Sequence, residues 1–417
     1  MFRSTKRLIS LRKDSKLVLN RFSTCNHLYS EEVVIVSTAR TPIGSFRGSL
    51  SALSAPQLGT VAIKAAIERS GLRNEDIGEV YMGNVLQSGL RQAPTRQAAL
   101  GAGLPTTIVT TTINKVCASG MKAIMIGAQS LMLGHQEVIV AGGMESMSNV
   151  PFYLRRGDTT YGGLKLEDGI VFDGLIDAYS LIHMGNCAEN TAKKLGITRQ
   201  QQDEYAINSY KRSANAANSG LLAKEITPVV ITGKKGSTTV SEDEEYKKVN
   251  FDKFSTLATV FQREGGTVTA ANASTLNDGA AATVLMTRKS CDKYGAKPLA
   301  RIVGFADSAV DPIDFPIAPA FAVPKILNKF NIKKEEIERW EINEAFSAVV
   351  IANIKMLDID PNKVNVNGGA VSLGHPLGMS GARIVNNLVV HLKAGQYGMA
   401  SICNGGGGAS ALLVQKL

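Results

Sequence analysis

The sequence predicts an α/β fold made of two similar halves with a third segment inserted between them. Three observations support this prediction. Short apolar strands alternate with helical patterns, one pattern occurs twice, and the stretch between its two copies has a different character. Alternation of strands and helices is typical of sheets buried under helices. The chain has 417 residues, which is too long for one ordinary core, so more than one domain is expected.

The first 30 residues differ from the rest of the chain because they are rich in arginine and lysine and nearly free of acids. Seven cations, from Arg3 to Arg21, are opposed only by Asp14. This composition resembles a mitochondrial transit peptide and predicts a protein of the mitochondrial matrix, although a basic disordered tail has the same composition. Without these residues the formal net charge falls from +10 to +4. Nucleic acid is therefore not needed to explain the basicity, and a mildly basic body suits a polyanionic substrate.

The body of the chain opens with an apolar strand at residues 32–36, and similar strands follow at residues 79–82 and 137–141. The most apolar stretch, residues 124–141, contains Gln129, His135, Gln136 and Glu137. A membrane span needs roughly 20 apolar residues, so this stretch is interpreted as a buried helix followed by a strand. No membrane span is expected.

One pattern is repeated at a separation of 261 residues, which is the distance from Ser119 to Ser380 and from Gly134 to Gly395. In each copy a Ser-Gly pair opens a helical pattern, a glycine closes it, and an apolar strand follows. The reactive side chains occupy different points of the two copies, since Cys117 aligns with Gly378. An internal repeat predicts two domains of the same architecture. Chance similarity between glycine-rich segments is the alternative.

The stretch between the copies is rich in Gly, Asp and Lys, and we expect it to form an excursion from the first domain that covers a site. A helix is predicted over residues 199–219, and the charge run at residues 242–248 is interpreted as a solvated loop. The expected divisions are residues 31–152 for the first domain, 153–273 for the loop domain, 274–296 for the return to the first domain, and 297–417 for the last domain.

The five cysteines show no paired spacing, which argues against a disulfide framework and against a zinc site. Cys117 precedes a helical pattern, where the helix dipole is expected to lower the pKa of its thiol. Cys403 follows an apolar strand and precedes Asn404 and four glycines, whose N–H groups could form an oxyanion hole. An inert buried cysteine and a flexible loop are the alternatives.

His375 lies between Gly374 and Pro376, which fix the backbone around its imidazole. A neutral imidazole can take a thiol proton or donate to a developing oxyanion, whereas a lone histidine is more often structural. Asn343 follows another strand and suits either a turn or the orientation of a water molecule. Two cysteines and a histidine in such places indicate acyl transfer through a thioester, with the second thiol moving protons.

Four motifs together resemble the thiolase family over residues 32–417. They are Asn114-x-x-Cys117-Ala-Ser-Gly, Asn343-Glu-Ala-Phe, Asn367-Gly-Gly-Ala-Val-Ser-Leu-Gly-His375-Pro and Cys403-Asn-Gly-Gly-Gly-Gly. The resemblance is strongest to the mitochondrial thiolases that act on acetoacetyl-CoA. It implies a thiolase-like fold, with two similar α/β domains packed in layers and an inserted loop domain.

The resemblance implies an acetyl-CoA C-acetyltransferase that joins two acetyl-CoA into acetoacetyl-CoA and CoA, and that also catalyses the reverse thiolysis. Cys117 would be acylated, His375 would activate it, and Cys403 would be the acid and base for the second substrate. Asn343, acting through a water, and His375 would form one oxyanion site. The N–H groups of Cys117 and Gly405 would form the other.

The resemblance also implies binding residues. CoA contacts are expected at His183, Met184, Tyr210, Lys248, Val249, Asn250, Lys253 and Ser274, and Phe315 is expected beside 2-methyl-branched acyl groups. Potassium ligands are expected at Tyr210, Ala270, Ala271, Ala273 and Val371. CoA is a substrate, no organic prosthetic group is expected, and the implied assembly is a homotetramer.

Four other functions remain as alternatives at this point. A broad-chain 3-ketoacyl-CoA thiolase has the same fold and differs in the acyl chains that it accepts. A decarboxylating ketoacyl synthase or a cysteine protease would pair a cysteine with a histidine but has no need of Cys403. A non-catalytic acyl-CoA-binding relative should have lost one of the three reactive side chains, and all three are present.

Overall fold

The computed structural model describes residues 31–157, 161–234 and 236–417, so the expected transit peptide at residues 1–30 lies outside the described residues. The first half alternates strands and helices as predicted. Its elements are β1 (Val33–Arg40), α1 (Ala55–Ser70), β2 (Glu79–Gly83), α2 (Pro94–Gly101), β3 (Val109–Ile113), α3 (Ser119–Met132) and β4 (Val138–Ser146). The apolar stretch at residues 124–141 is thus a helix followed by a strand. In the described part of the chain, no helix is long and apolar enough to cross a membrane.

The inserted segment contains little sheet. Two short strands, Phe152–Tyr153 and Glu167–Asp168, pair with each other, and β5 (Val229–Gly233) pairs with β6 (Gly236–Val240). Between these pairs lie α4 (Met184–Leu195) and α5 (Arg199–Asn218), and the second of these helices is the one predicted. The chain then returns to the first half through β7 (Asn277–Thr287) and α6 (Arg288–Tyr294).

The second half repeats the alternation. Its elements are β8 (Ala300–Ala309), α7 (Pro319–Phe330), β9 (Ile337–Ile342), α8 (Ser347–Leu357), α9 (Ala370–Leu373), α10 (Leu377–His391), β10 (Tyr397–Asn404) and β11 (Gly408–Lys416). We expected Ser380-Gly381 to open the second copy of the helix, but α10 begins three residues earlier, directly after Pro376. Proline fixes its own φ and is well suited to a helix start.

The main strands lie in the order β3-β2-β4-β7-β1-β8-β11-β10-β9, and the short strand Gly44–Ser45 pairs with the start of β7. The two halves have the same topology, since β2-β4-β7-β1 corresponds to β9-β10-β11-β8. In each set the first pair is parallel and the other two pairs are antiparallel. The halves meet between β1 and β8, where Val34 pairs with Arg301 and Ile35 with Ala300. The predicted α/β fold is confirmed.

The two halves of the sheet share a central layer of helices. Helices α3 and α10 pack on each other and on both halves of the sheet. Ile35 and Ile139 of the first half and Ile402 and Leu412 of the second belong to the core around them. Alternate residues point to the opposite faces, where α1 covers the first half and α7 covers the second. The order of layers is therefore helix, sheet, helices, sheet, helix.

The central helices approach each other closely because the contact is made by glycines. A Cβ atom added to Gly120 of α3 would lie 2.6 Å from the carbonyl oxygen of Gly378 in α10. A Cβ atom on Gly143 of β4 would lie 1.9 Å from the same oxygen. Side chains at these positions would push the helices apart, so the glycines set the distance between the starts of α3 and α10.

The charge run at residues 242–248 is only partly a solvated loop, and the interpretation was wrong for Asp243. Asp243 is 1% exposed and accepts hydrogen bonds from the guanidinium of Arg40, at 2.8 and 2.9 Å, and from the N–H of Ile43. Arg40 also donates to Glu225 at 2.7 Å. The run is drawn inward because a buried guanidinium needs anionic partners.

Candidate active site

A cavity of about 360 Å³ lies where the loop segment meets the two halves of the molecule. Cys117, His375 and Gly405 reach it from the two halves, and His183 and Met184 reach it from the loop segment. Most of the remaining wall is apolar, including Met147, Leu276, Phe346 and Leu377. An apolar cavity with a few polar groups that converge on it is the usual form of a small-molecule site.

Cys117 lies in a tight turn just before α3. Val116 has φ +47°, a conformation that strains a β-branched residue. The turn is held by Ser119, whose Oγ accepts from the N–H of Lys115 at 2.8 Å and donates to the carbonyl of Val116 at 2.6 Å. Asn114 Oδ1 accepts from the N–H of Val116 at 3.0 Å. This turn directs the thiol of Cys117 into the cavity.

The thiol of Cys117 is protonated in the resting site. Burial raises its pKa to about 12, against the backbone N–H groups of Gly405 and of Cys117 itself, which point at the sulfur and lower it. The charge of Glu145 raises the pKa further. The expectation that the helix start lowers this pKa was therefore wrong. Loss of hydration outweighs the dipole of a helix that begins two residues later, at Ser119.

His375 is buried and held on three sides. Its N–H donates to Asn277 Oδ1 at 2.9 Å, Nδ1 lies 2.6 Å from Ser380 Oγ, and Nε2 lies 3.5 Å from Asn343 Nδ2. Burial lowers the pKa of the imidazole to about 3, and the charge of Arg383 contributes to the same shift. The ring is therefore neutral at physiological pH and can accept a proton.

Cys403 and Asn343 lie at the ends of neighbouring parallel strands, β10 and β9. Cys403 is 1% exposed, and burial raises the pKa of its thiol, as does the charge of nearby Cys117. The N–H of Asn343 donates to Ser401 at 3.0 Å. Asn343 Oδ1 is buried and has no hydrogen-bond partner among the described residues. A buried acceptor of this kind suits a bound water or a substrate group.

Four of the residues expected to contact the substrate line the same cavity as Cys117, namely His183, Met184, Ser274 and Phe315. His183 caps α4, where its Nδ1 accepts from the N–H of Gly185 at 3.1 Å. Its ring stacks on Phe261 with the centroids 4.7 Å apart. Ser274 Oγ donates to the carbonyl of Ala345 at 2.9 Å.

Lys248 lines a second cavity, of about 390 Å³, which shares Phe261 and Ser274 with the first. Its Nζ donates to Ser45 and lies 3.7 Å from a carboxylate oxygen of Glu245. Ala270 and Ala273 line this second cavity too. The structure thus places one of the expected lysines beside the site, where a phosphate could reach it.

Other expected binding residues lie outside the linings of these two cavities. Tyr210, Val249, Ala271 and Val371 share one apolar cluster. Asn250 caps the 3-10 helix Phe251–Thr256, which contains Lys253, and its side chain accepts from the N–H of Asp252 at 3.1 Å.

Sequence reasoning missed Glu145, which is fully buried and supports the site from below. It accepts from the N–H groups of Val85, Leu86 and Gly378, at 3.0, 3.1 and 2.9 Å, and from the amide of Asn84 at 2.8 Å. Burial raises its pKa to about 7. It also missed Ser380 and Asn277, which hold His375. No sequence signal distinguishes these residues, because their partners are distant in the chain or belong to an ordinary helix.

Comparison with known proteins defines the class. The thiolase N-terminal domain matches residues 33–289 and the thiolase C-terminal domain matches residues 296–416, so this chain belongs to the thiolase family. Among its relatives is the mitochondrial acetyl-CoA acetyltransferase of Xenopus tropicalis, which is 68% identical over 387 residues, 93% of this chain and 92% of that protein. The mitochondrial acetyl-CoA acetyltransferase of Homo sapiens is 66% identical over 388 residues, 93% of this chain and 91% of that protein.

Solved structures agree with this assignment. A thiolase from Ascaris suum in complex with coenzyme A has a TM-score of 0.90 and 48% identity, and the match covers 93% of this chain and 100% of that one. The acetyl-CoA acetyltransferase of Bacillus anthracis has a TM-score of 0.90 and 39% identity with the same coverage. The family predicted from the four motifs is confirmed.

Proposed function

We propose that this thiolase is an acetyl-CoA C-acetyltransferase, which condenses two acetyl-CoA into acetoacetyl-CoA and CoA through an acetyl-Cys117 intermediate and also catalyses the reverse thiolysis. The observation that carries the proposal is the convergence of Cys117, His375 and the N–H of Gly405 on one largely apolar cavity. The names of the 66–68% identical relatives support the same activity.

In the first half-reaction Cys117 attacks the carbonyl carbon of acetyl-CoA while His375 Nε2 takes the proton of its thiol. The N–H groups of Cys117 and Gly405 receive the developing oxyanion. As the carbon–sulfur bond of acetyl-CoA breaks, the leaving CoA sulfur takes a proton from Cys403. The products are acetyl-Cys117, imidazolium at His375, thiolate at Cys403 and free CoA.

In the second half-reaction the Cys403 thiolate removes a proton from the methyl group of another acetyl-CoA. The resulting carbanion attacks acetyl-Cys117, and Cys117 leaves as a thiolate that takes back the proton held on His375. Asn343, through a water, and His375 would stabilise the enolate oxygen. Both thiols begin and end protonated, and their raised pKa values support this order of events.

The CoA contacts are proposed at the residues that the resemblance implies. His183, Met184 and Ser274 would contact the pantetheine arm in the first cavity, and Phe315 would limit the acyl group. Lys248 would meet a phosphate from the second cavity, since an ammonium group is a suitable partner for phosphate. Tyr210, Val249, Asn250 and Lys253 remain predictions without a contact in either cavity.

A potassium ion is proposed beside Tyr210. The phenol is buried near two carboxylates, and burial raises its pKa to about 12, as do the charges of Glu245 and Glu344. A hard cation would suit this negative, oxygen-rich environment. The hydroxyl of Tyr210 and the backbone carbonyls of Ala270, Ala271, Ala273 and Val371 would hold it. The bound ion would brace the loop that carries Ser274.

A mitochondrial matrix location and a homotetramer are also proposed. The first is supported by the basic segment at residues 1–30 and by the names of the mitochondrial relatives. The second rests only on the resemblance, and size-exclusion chromatography with light scattering tests it.

The activity is tested by thiolysis of acetoacetyl-CoA, 2-methylacetoacetyl-CoA and a long-chain 3-ketoacyl-CoA, each with and without potassium. We expect turnover confined to the two short substrates and raised by potassium. Equal or better turnover of the long chain would instead identify a broad-chain thiolase. Absence of turnover on all three would contradict the proposed function.

A further inference from the structure

Ser380 is a buried serine in the first turn of α10 that the proposed chemistry does not use directly. Its Oγ lies 2.6 Å from His375 Nδ1 and donates to the carbonyl of Pro376 at 2.9 Å. Within the described residues, no carboxylate is hydrogen-bonded to this ring, whose three hydrogen-bonding partners are Ser380, Asn277 and Asn343.

We propose that Ser380 is a positioning residue that fixes the tautomer of His375, keeping the proton on Nδ1 and the lone pair on Nε2. This inference rests on the proposed function of His375 as the base for Cys117. A hydroxyl has one proton, and Ser380 gives that proton to Pro376. Its remaining capacity is as an acceptor, so the short contact requires a proton on Nδ1.

This tautomer is the one that the chemistry needs. Nε2 is the ring nitrogen on the side of Asn343, and its lone pair can then accept the proton of the Cys117 thiol. The S–H bond breaks, the Nε2–H bond forms, and the imidazolium keeps the same Nδ1–H bond to Ser380. The proton therefore enters and leaves at Nε2 with no change on the other side of the ring, so Ser380 need not move during the cycle.

A serine also differs from the carboxylate that often orients a catalytic histidine. A carboxylate would stabilise the imidazolium and hold the proton on the ring, whereas a neutral hydroxyl orients the ring without doing so. The imidazole of His375 thus remains a weak base that returns its proton readily to Cys117.

The tautomer is measured by ¹⁵N NMR of the protein labelled at histidine, with the signal of His375 assigned by its loss in His375→Gln. We expect a protonated Nδ1 and an unprotonated Nε2 in the wild type. In Ser380→Ala we expect a mixture of tautomers. Ser380→Thr keeps the hydroxyl and should restore the wild-type pattern. Ser130→Ala, which removes a serine from α3 away from His375, is the matched control.

The functional consequence is measured as the single-turnover rate of Cys117 acetylation by acetyl-CoA. We expect Ser380→Ala to slow it at least about tenfold, because general-base catalysis is worth roughly 10²–10⁴-fold, with KM changed by less than about twofold. Ser380→Thr should recover most of the rate. An unchanged tautomer in Ser380→Ala, or acetylation within about twofold of the Ser130→Ala control, would overturn the proposal. If the wild type forms no acetyl-Cys117, the proposed function fails, while the NMR result still decides the role of Ser380.

Discussion

Replacing Asp243 by Asn should weaken both the fold and the binding of CoA, because this carboxylate holds the segment that carries Lys248. Asp243 receives two hydrogen bonds from Arg40 and one from the N–H of Ile43, and all three groups are buried. An amide at this position would place an NH₂ group against a donor and would leave Arg40 with Glu225 as its only anionic partner.

Breaking a buried ion pair by removing one partner costs about 3–5 kcal/mol. For chains of 150–250 residues, each kcal/mol lowers the midpoint of thermal unfolding by roughly 2–4 °C, so a fall on the order of 10 °C is expected. Asp243 also anchors the chain five residues before Lys248, which lines the second cavity. The KM for CoA in thiolysis should therefore rise, and kcat should change less than KM.

The measurements are the midpoint of thermal unfolding and the steady-state constants for acetoacetyl-CoA thiolysis. Asp292→Asn, which removes an exposed carboxylate on α6, is the matched control and should stay within about 0.5 kcal/mol of the wild type. If Asp243→Asn unfolded at the same temperature as this control and kept its KM for CoA, the reasoning from the Arg40 cluster would be refuted.

Three further predictions follow from the site and its supports. Cys117→Ala should abolish acetyl-enzyme formation, and Cys403→Ala should leave acetylation detectable while removing hydrogen exchange at the acetyl methyl group; mass spectrometry and NMR of the substrate check these results. Gly378→Ala should fail to fold or lose much of its stability, because the new Cβ would lie 2.5 Å from the carbonyl oxygen of Met144, whereas Gly157→Ala meets no atom within 4 Å and should be tolerated; circular dichroism distinguishes them. Arg40, His391 and the other partners of Glu225 overcome its burial and lower its pKa from 4.5 to about 2, so it should contribute about 3 kcal/mol of stability above pH 4.5 and lose this contribution as the pH falls toward 2. Glu225→Gln should show a flatter dependence of unfolding free energy on pH in this range.

The sequence predicts the local elements well because their signals are local. The alternation of apolar strands with helices marks β1, β2, β4 and α3, and the repeat marks α10 and β10. The strand order could not be predicted, because the neighbours of β7 lie far away in the sequence, in β1 and β4. Pairing over such distances depends on how the whole chain packs.

The reactive residues of the candidate site could be named from the sequence, whereas the residues that hold them could not. Cys117, His375 and Cys403 stand among glycines and small residues that leave a visible pattern. Glu145 and Asp243 are single acids in unremarkable contexts, and Asp243 meets Arg40 across 203 residues of sequence. Whether a carboxylate is buried depends on the donors that surround it in the folded chain.

The repeated architecture explains how one cavity acquires both a nucleophile and a base. Cys117 lies just before α3 and His375 just before α10, which are equivalent helices of the two halves. The close contact of Gly120 with Gly378 brings the starts of these helices together. Each half therefore supplies one reactive group from the same end of the same element.

The second thiol comes from a point where the repeat is broken. Cys403 ends β10, and the position 261 residues earlier is Gly142 in β4, whose backbone packs against Ala281 with no room for a side chain. Only the second half can therefore present a side chain at this point. A symmetric frame with one reactive group from the first half and two from the second has the three protonic sites that a two-step acyl transfer needs. Because burial keeps both thiols protonated until substrate arrives, the order of proton transfers is set by which substrate sulfur or methyl group enters the cavity.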